Sequence, residues 1–105
     1  MTTSEITSEV NKVKQRVPKW MKNPNQINSR ILIGYLKLAE QQNNVPVQLL
    51  RSRCDSVWTF YENYNQMKNF GEKNHGKVFQ EEDGIISLWE PVKDFILHQY
   101  KTARF

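Results

Sequence analysis

The chain has 105 residues, of which 25% are charged and 38% hydrophobic, and it carries a net charge of +4. That is enough chain to bury one core, and its apolar runs are too short for a membrane-crossing helix. The lone Cys54 excludes an internal disulfide, and the opening MTTSEITSEV, with two glutamates and no apolar run, gives no expectation of a secretory signal. A first helix is expected over 3–16, because Ile6, Val10, Val13 and Val17 share one helical stripe and Thr2 and Glu5 have capping-box spacing. Val17-Pro18 should end it, since a residue before proline avoids the α region. Residues 19–26, with Asn23-Pro24-Asn25, then read as a loop.

A second helix is expected over 27–42, with Ile27, Ile31, Tyr35, Leu38 and Ala39 along its buried face and Leu32 and Leu36 beside them. Gly34 within it marks a place where another element comes close. Pro46 suits the first position of a short third helix over 46–53, with Val47 and Leu50 inward and Cys54 at its end. Asp55 or Ser56 then caps a fourth helix over 56–70, whose buried face is Val57, Phe60, Tyr61, Tyr64 and Met67, with Gly71 as its C′ residue.

Residues 77–90, KVFQEEDGIISLWE, form a hairpin pattern about Asp83-Gly84, a dipeptide that tolerates the positive φ angles of a type I′ turn. Folding there sets Phe79 opposite Leu88, Val78 opposite Trp89 and Lys77 opposite Glu90, so that unlike charges meet at the open end. Pro91 opens a last helix over 91–103, with Val92, Phe95, Ile96 and Tyr100 on one side. The expected fold is therefore mainly α with one β-hairpin. It forms a single domain in three parts: a basic helix and loop at 1–25, a core at 26–90 and a C-terminal helix at 91–105.

The charge is unevenly spread. Residues 1–37 carry seven Lys/Arg and two Glu, 38–76 four of each sign, and 77–105 four basic and five acidic residues. A basic first third suits a polyanion or an acidic partner. Lys12, Lys14, Arg16, Lys19 and Lys22 could hold a nucleic-acid backbone without regard to sequence, with Trp20 stacking on a base. The competing reading is a solvated helix whose valines are buried and whose Trp20 closes the core. A membrane-surface role is disfavoured, because the stripe is Ile and Val with no large anchor before Trp20.

Helices three and four have the spacing of a helix-turn-helix. The outer face of the fourth offers Thr59, Glu62, Asn63, Gln66 and Asn69, with Lys73 just beyond, and Asn and Gln can pair bidentately with adenine. The same polar face could merely keep the helix soluble. With the hairpin following, the order of elements over 26–90 resembles the winged helix-turn-helix superfamily. That resemblance implies that the fourth helix enters the major groove while Arg51, Arg53 and the N-terminal lysines hold phosphates. Two features depart from it. The turn lacks a glycine, and the hairpin tip, Glu81-Glu82-Asp83, would repel phosphate.

The functional expectation is a small cytoplasmic DNA-binding protein of a bacterium or phage, a transcriptional regulator. Its 18 Asn and Gln suit a mesophile. The alternative is a protein–protein interaction module on the same scaffold. A homodimer through the first or last helix would suit either. No enzyme, cofactor or metal site is expected. His75, His98 and Cys54 have no metal-ligand spacing, 81–83 has no second acidic cluster, and the four glycines form no phosphate loop.

Overall fold

The structure, a computed structural model, describes residues 2–54 and 56–103. Five helices surround a small antiparallel sheet: α1 (Thr3–Lys22), α2 (Ile27–Gln41), β1 (Val45–Pro46), α3 (Val47–Ser52), α4 (Val57–Lys68), β2 (Phe79–Glu82), β3 (Ile85–Leu88), a 3-10 turn (Glu90–Val92) and α5 (Lys93–Ala103). Mainly helical with one hairpin is what the sequence predicts, and the hairpin register agrees residue for residue, with Phe79 facing Leu88 and Glu82 facing Ile85. Asp83 and Gly84 both have positive φ, 51° and 78°, as a type I′ turn requires.

The differences each have a physical cause. Helix α1 does not stop before Pro18 but continues to Lys22. Proline at this position removes one i→i−4 bond, a cost of about 3 kcal/mol in a helix interior. The extra turn offsets that cost by burying Trp20 and Met21 in the core. Pro46 is not the first residue of α3 but its N-cap, and with Val45 it forms an unforeseen third strand. The sheet order is β1-β3-β2, with Val45 opposite Ile86. Proline cannot donate to a ladder, so β1 is short and lies at the edge. The next amide, of Val47, donates to the Gly84 carbonyl at 2.8 Å.

Helix α4 ends at Lys68, and Gly71 is not its left-handed C′ residue: positive φ among the glycines occurs only at Gly76 and Gly84. Ser56 caps its start, its Oγ accepting from the Thr59 amide at 3.2 Å; Asp55, the other expected cap, lies outside the described residues. Val57 was expected inside and is exposed, as is Ala39 of α2. Lys77 does not pair with Glu90. Its ammonium donates to the carbonyls of Lys68 and Phe79 and lies over the rings of Phe70 and Trp89.

Helix α2 runs through the middle, with Ile31, Leu32, Ile33, Tyr35, Leu36 and Leu38 all buried. Gly34 faces the end of Leu50 on α3, an ordinary van der Waals neighbour. A chain of rings joins three elements. Phe60 stacks on Tyr64 at 5.2 Å, Tyr64 meets Phe79 of β2 at 5.6 Å, and Phe79 meets Tyr35 of α2 at 5.2 Å. The Tyr64 hydroxyl leaves this chain to donate to Glu81 at 2.7 Å, so burial and that carboxylate both push the phenol pKa upward. Thermal or urea denaturation should show Tyr64→Ala costing on the order of 3–5 kcal/mol and Tyr64→Phe about 1 kcal/mol. Gly84→Val, with open space around it but a φ of 78°, should cost about 1–2 kcal/mol through the backbone alone.

Candidate functional site

The basic residues of α1 divide between two sides of the helix. Lys12 and Arg16 point at the segment between α4 and the hairpin. Lys12 Nζ donates to the Gly71 carbonyl at 2.8 Å and pairs with Glu9 at 3.2 Å. Arg16 Nη1 donates to the carbonyls of Asn74 and His75 at 2.9 and 2.7 Å. Glu9 completes the grip by accepting the Lys77 amide at 2.9 Å. Lys14, on the other side, places its ammonium over the Phe95 ring of α5. Lys19 and Lys22 are exposed near the C-terminal end of α1.

The gripped segment fixes His75. Its ring meets Trp20 edge-on, and Nε2 lies 2.8 Å from Asn63 Oδ1 of α4. Burial first, and Arg16 second, hold the His75 pKa below its ordinary 6.5. Trp20 is thus a core residue, with its ring beside Gly76, whose φ of 144° would strain any residue bearing a side chain. Asn63 is engaged twice, since its Nδ2 also donates to the Thr59 carbonyl.

Of the predicted face of α4, Thr59 and Gln66 are half-buried, Asn69 is exposed, and Lys73 is exposed in the following segment. The true outward stripe is Trp58, Glu62, Asn65 and Asn69, at spacings of four, three and four residues. Trp58 is 77% exposed, the most exposed large hydrophobic residue of the described chain. The sequence reading missed it, although its place opposite Phe60 and Tyr64 on the helical wheel was available.

A second group of cations gathers at the turn between α3 and α4. Arg53 lies there, joined by Arg30 and Lys37 of α2. The three line one cleft of about 260 Å³ with Pro24, Ile33, Gly34, Leu50 and Cys54. Arg30 also lines the adjoining depression with Ile27, Cys54, Ser56 and Thr59, at the first turn of α4. Among the described residues no carboxylate lines either one. Arg51, half-buried on α3, donates from Nε to Gln48 Oε1 at 3.2 Å. Arg30 and Lys37 were not singled out from the sequence, yet their seven-residue spacing puts them on one face of α2.

The hairpin tip is less acidic towards α4 than its sequence implies, because Glu81 is bound by Tyr64 and by Lys68 at 3.3 Å; Glu82 and Asp83 remain exposed. Among the described residues no group of three or more His, Cys, Asp or Glu could hold a metal, and no helix is long and apolar enough to cross a membrane. The apolar stripes of α1 and α5 are largely enclosed within the chain, with Val13, Val17 and Ile96 fully buried. No family model, curated protein or solved structure matches this chain.

Two measurements check the grip. Arg16→Gln should cost about 1.5–3 kcal/mol, because two carbonyls lose a charged donor. For His75 the folded pKa lies below the unfolded one, so the unfolded chain binds the proton first and stability falls as pH drops through and below 6.5. Thermal melts from about pH 7.5 to about pH 5 should show this loss, and His75→Gln should flatten it.

Proposed function

We propose that this chain is a duplex-DNA-binding module of winged-helix type, with α4 as the element that enters the major groove. The observation that carries the reading is the meeting of Lys37 and Arg53 in one cleft at the α3–α4 turn, beside an outward stripe that begins at Trp58. Duplex DNA presents a dense row of phosphates on either side of a groove wide enough for a helix, so cations flanking the start of that helix would meet the backbone while the helix meets base edges. The exposed amide of Asn65 lies further along the same stripe, where such a group reads adenine, while Asn69 donates from Nδ2 to the Asn65 carbonyl at 2.9 Å. The arrangement of α2, α3 and α4 beside a hairpin supports the winged-helix comparison.

Lys12 and Arg16 are left out of this reading because they hold backbone carbonyls. Lys22 lies near Pro24, which lines the basic cleft, and is a further phosphate contact in the proposal. A second reading, a protein-interaction module, is favoured by one specific observation: Trp58 and its exposed neighbour Val57 form an apolar spot.

Binding of a mixed-sequence duplex, followed by fluorescence anisotropy, separates the two. With about three phosphate contacts, affinity should fall roughly 40-fold between about 50 and about 200 mM salt. Lys37→Gln with Arg53→Gln should reduce the salt slope by about two, whereas Lys14→Gln should leave it unchanged. Absence of binding at the lower salt would remove the DNA reading and leave the protein-interaction module.

A further inference from the structure

The exposed apolar pair at the start of α4 narrows what the duplex would have to offer. Trp20 and Trp89 are 5% and 7% exposed, while Trp58 is 77% and the adjacent Val57 52% exposed. Two neighbouring apolar side chains therefore stand in water on the first turn of α4, between Ser56 and Thr59, which line the depression next to the basic cleft. Phosphate and sugar give an indole no apolar partner of comparable reach. In the major groove of a duplex, the apolar group on a base edge is the C5-methyl of a pyrimidine.

A single strand could instead stack a base on Trp58. Proteins that follow single strands lay successive bases on several aromatic platforms. On this face Trp58 is the only exposed aromatic residue among those described, and its neighbours on the stripe are Glu62, Asn65 and Asn69. Val57 provides apolar contact but no flat π-face. One indole and one isopropyl group at the leading turn of a helix suit a methyl group on a base edge better than a column of bases.

Resting on the DNA reading above, we propose that Trp58, with Val57, reads the 5-methyl group of a pyrimidine in the major groove, which makes the module selective for duplex bearing thymine or 5-methylcytosine at one position of its site. Burial of one methyl against these side chains corresponds to about fourfold in affinity. Glu62, one turn further along, is placed to accept from a cytosine amino group and to disfavour a phosphate at that point, which keeps the helix end in the groove rather than on the backbone.

The experiment uses random-sequence duplex pools of identical length made with thymidine, with deoxyuridine in its place, or with 5-methylcytosine in place of cytosine. Pairing is the same in all three, and only methyl groups differ. Direct competition at low salt should show the full chain retaining the thymidine pool about fourfold over the deoxyuridine pool. The 5-methylcytosine pool should be retained at least as well as the thymidine pool. Trp58→Ala should bind both pools equally, with unchanged melting temperature because the side chain is exposed. Quenching by acrylamide should lose its most accessible tryptophan component on adding duplex. Equal retention of the thymidine and deoxyuridine pools by the wild-type chain, with normal salt dependence, would overturn the methyl reading while the DNA reading stands. Tighter binding to a single strand than to duplex would also overturn it. Absence of binding to every pool would overturn both.

Discussion

The structure depends on the grip of α1 upon the segment between α4 and the hairpin. That segment, residues 69–77, has little regular structure and would otherwise expose a row of carbonyl groups. Lys12 and Arg16 take three of those carbonyls, Glu9 takes the Lys77 amide, and Lys77 reaches back to Lys68 and forward to Phe79. Charged donors on half-buried carbonyls are among the stronger hydrogen bonds available to a protein. They fix where the chain leaves α4 and where β2 begins. The ring contact of Tyr64 with Phe79, and with it the placement of the sheet against α2, follows from that fixed exit.

This grip changes what the charge of the chain means. The excess of positive charge lies in the first third of the sequence, which suggests a basic arm. In the folded protein Lys12 and Arg16 face inward onto carbonyls and Lys14 faces the ring of Phe95 on the other side of the helix. A net charge counts Lys12 and Arg16 as available, but carbonyl oxygens already hold them. The cations that cluster come from different segments, α2 and the end of α3, and their cleft sits where α4 begins. A field useful to a polyanion comes from proximity in space, not from density along the chain.

The same packing leaves Trp58 outside. Phe60, Tyr64 and Met67 fill the inner face of α4, Tyr61 lies edge-on to Phe60, Lys68 pairs with Glu81 of the hairpin, and Asn63 ties to His75. The helix has one side left, and the largest side chain on it is apolar. A surface tryptophan beside a basic cleft combines the two forces that nucleic-acid and protein partners both use, charge and apolar contact. For this reason the competing functions differ in salt dependence and in the chemistry of the partner, rather than in which face is used.

Much of the fold was legible in local sequence because its causes are local. The Asp83-Gly84 turn fixes the hairpin register through φ alone, Ser56 and Thr2 cap their helices through neighbouring amides, and the stripes of α2 and α5 follow helical spacing. Other features were set by contacts far apart in sequence. Helix α1 passes Pro18 because Trp20 and Met21 find a core, and β1 exists because Val45 meets Ile86 some forty residues away. Of the candidate site proposed above, the outer face of α4 and Arg53 were legible in the sequence. Which cations gather beside it, and that Trp58 rather than Asn63 faces outward, was decided by tertiary structure. A side chain's neighbours across the fold determine whether its charge or its ring remains available to anything else.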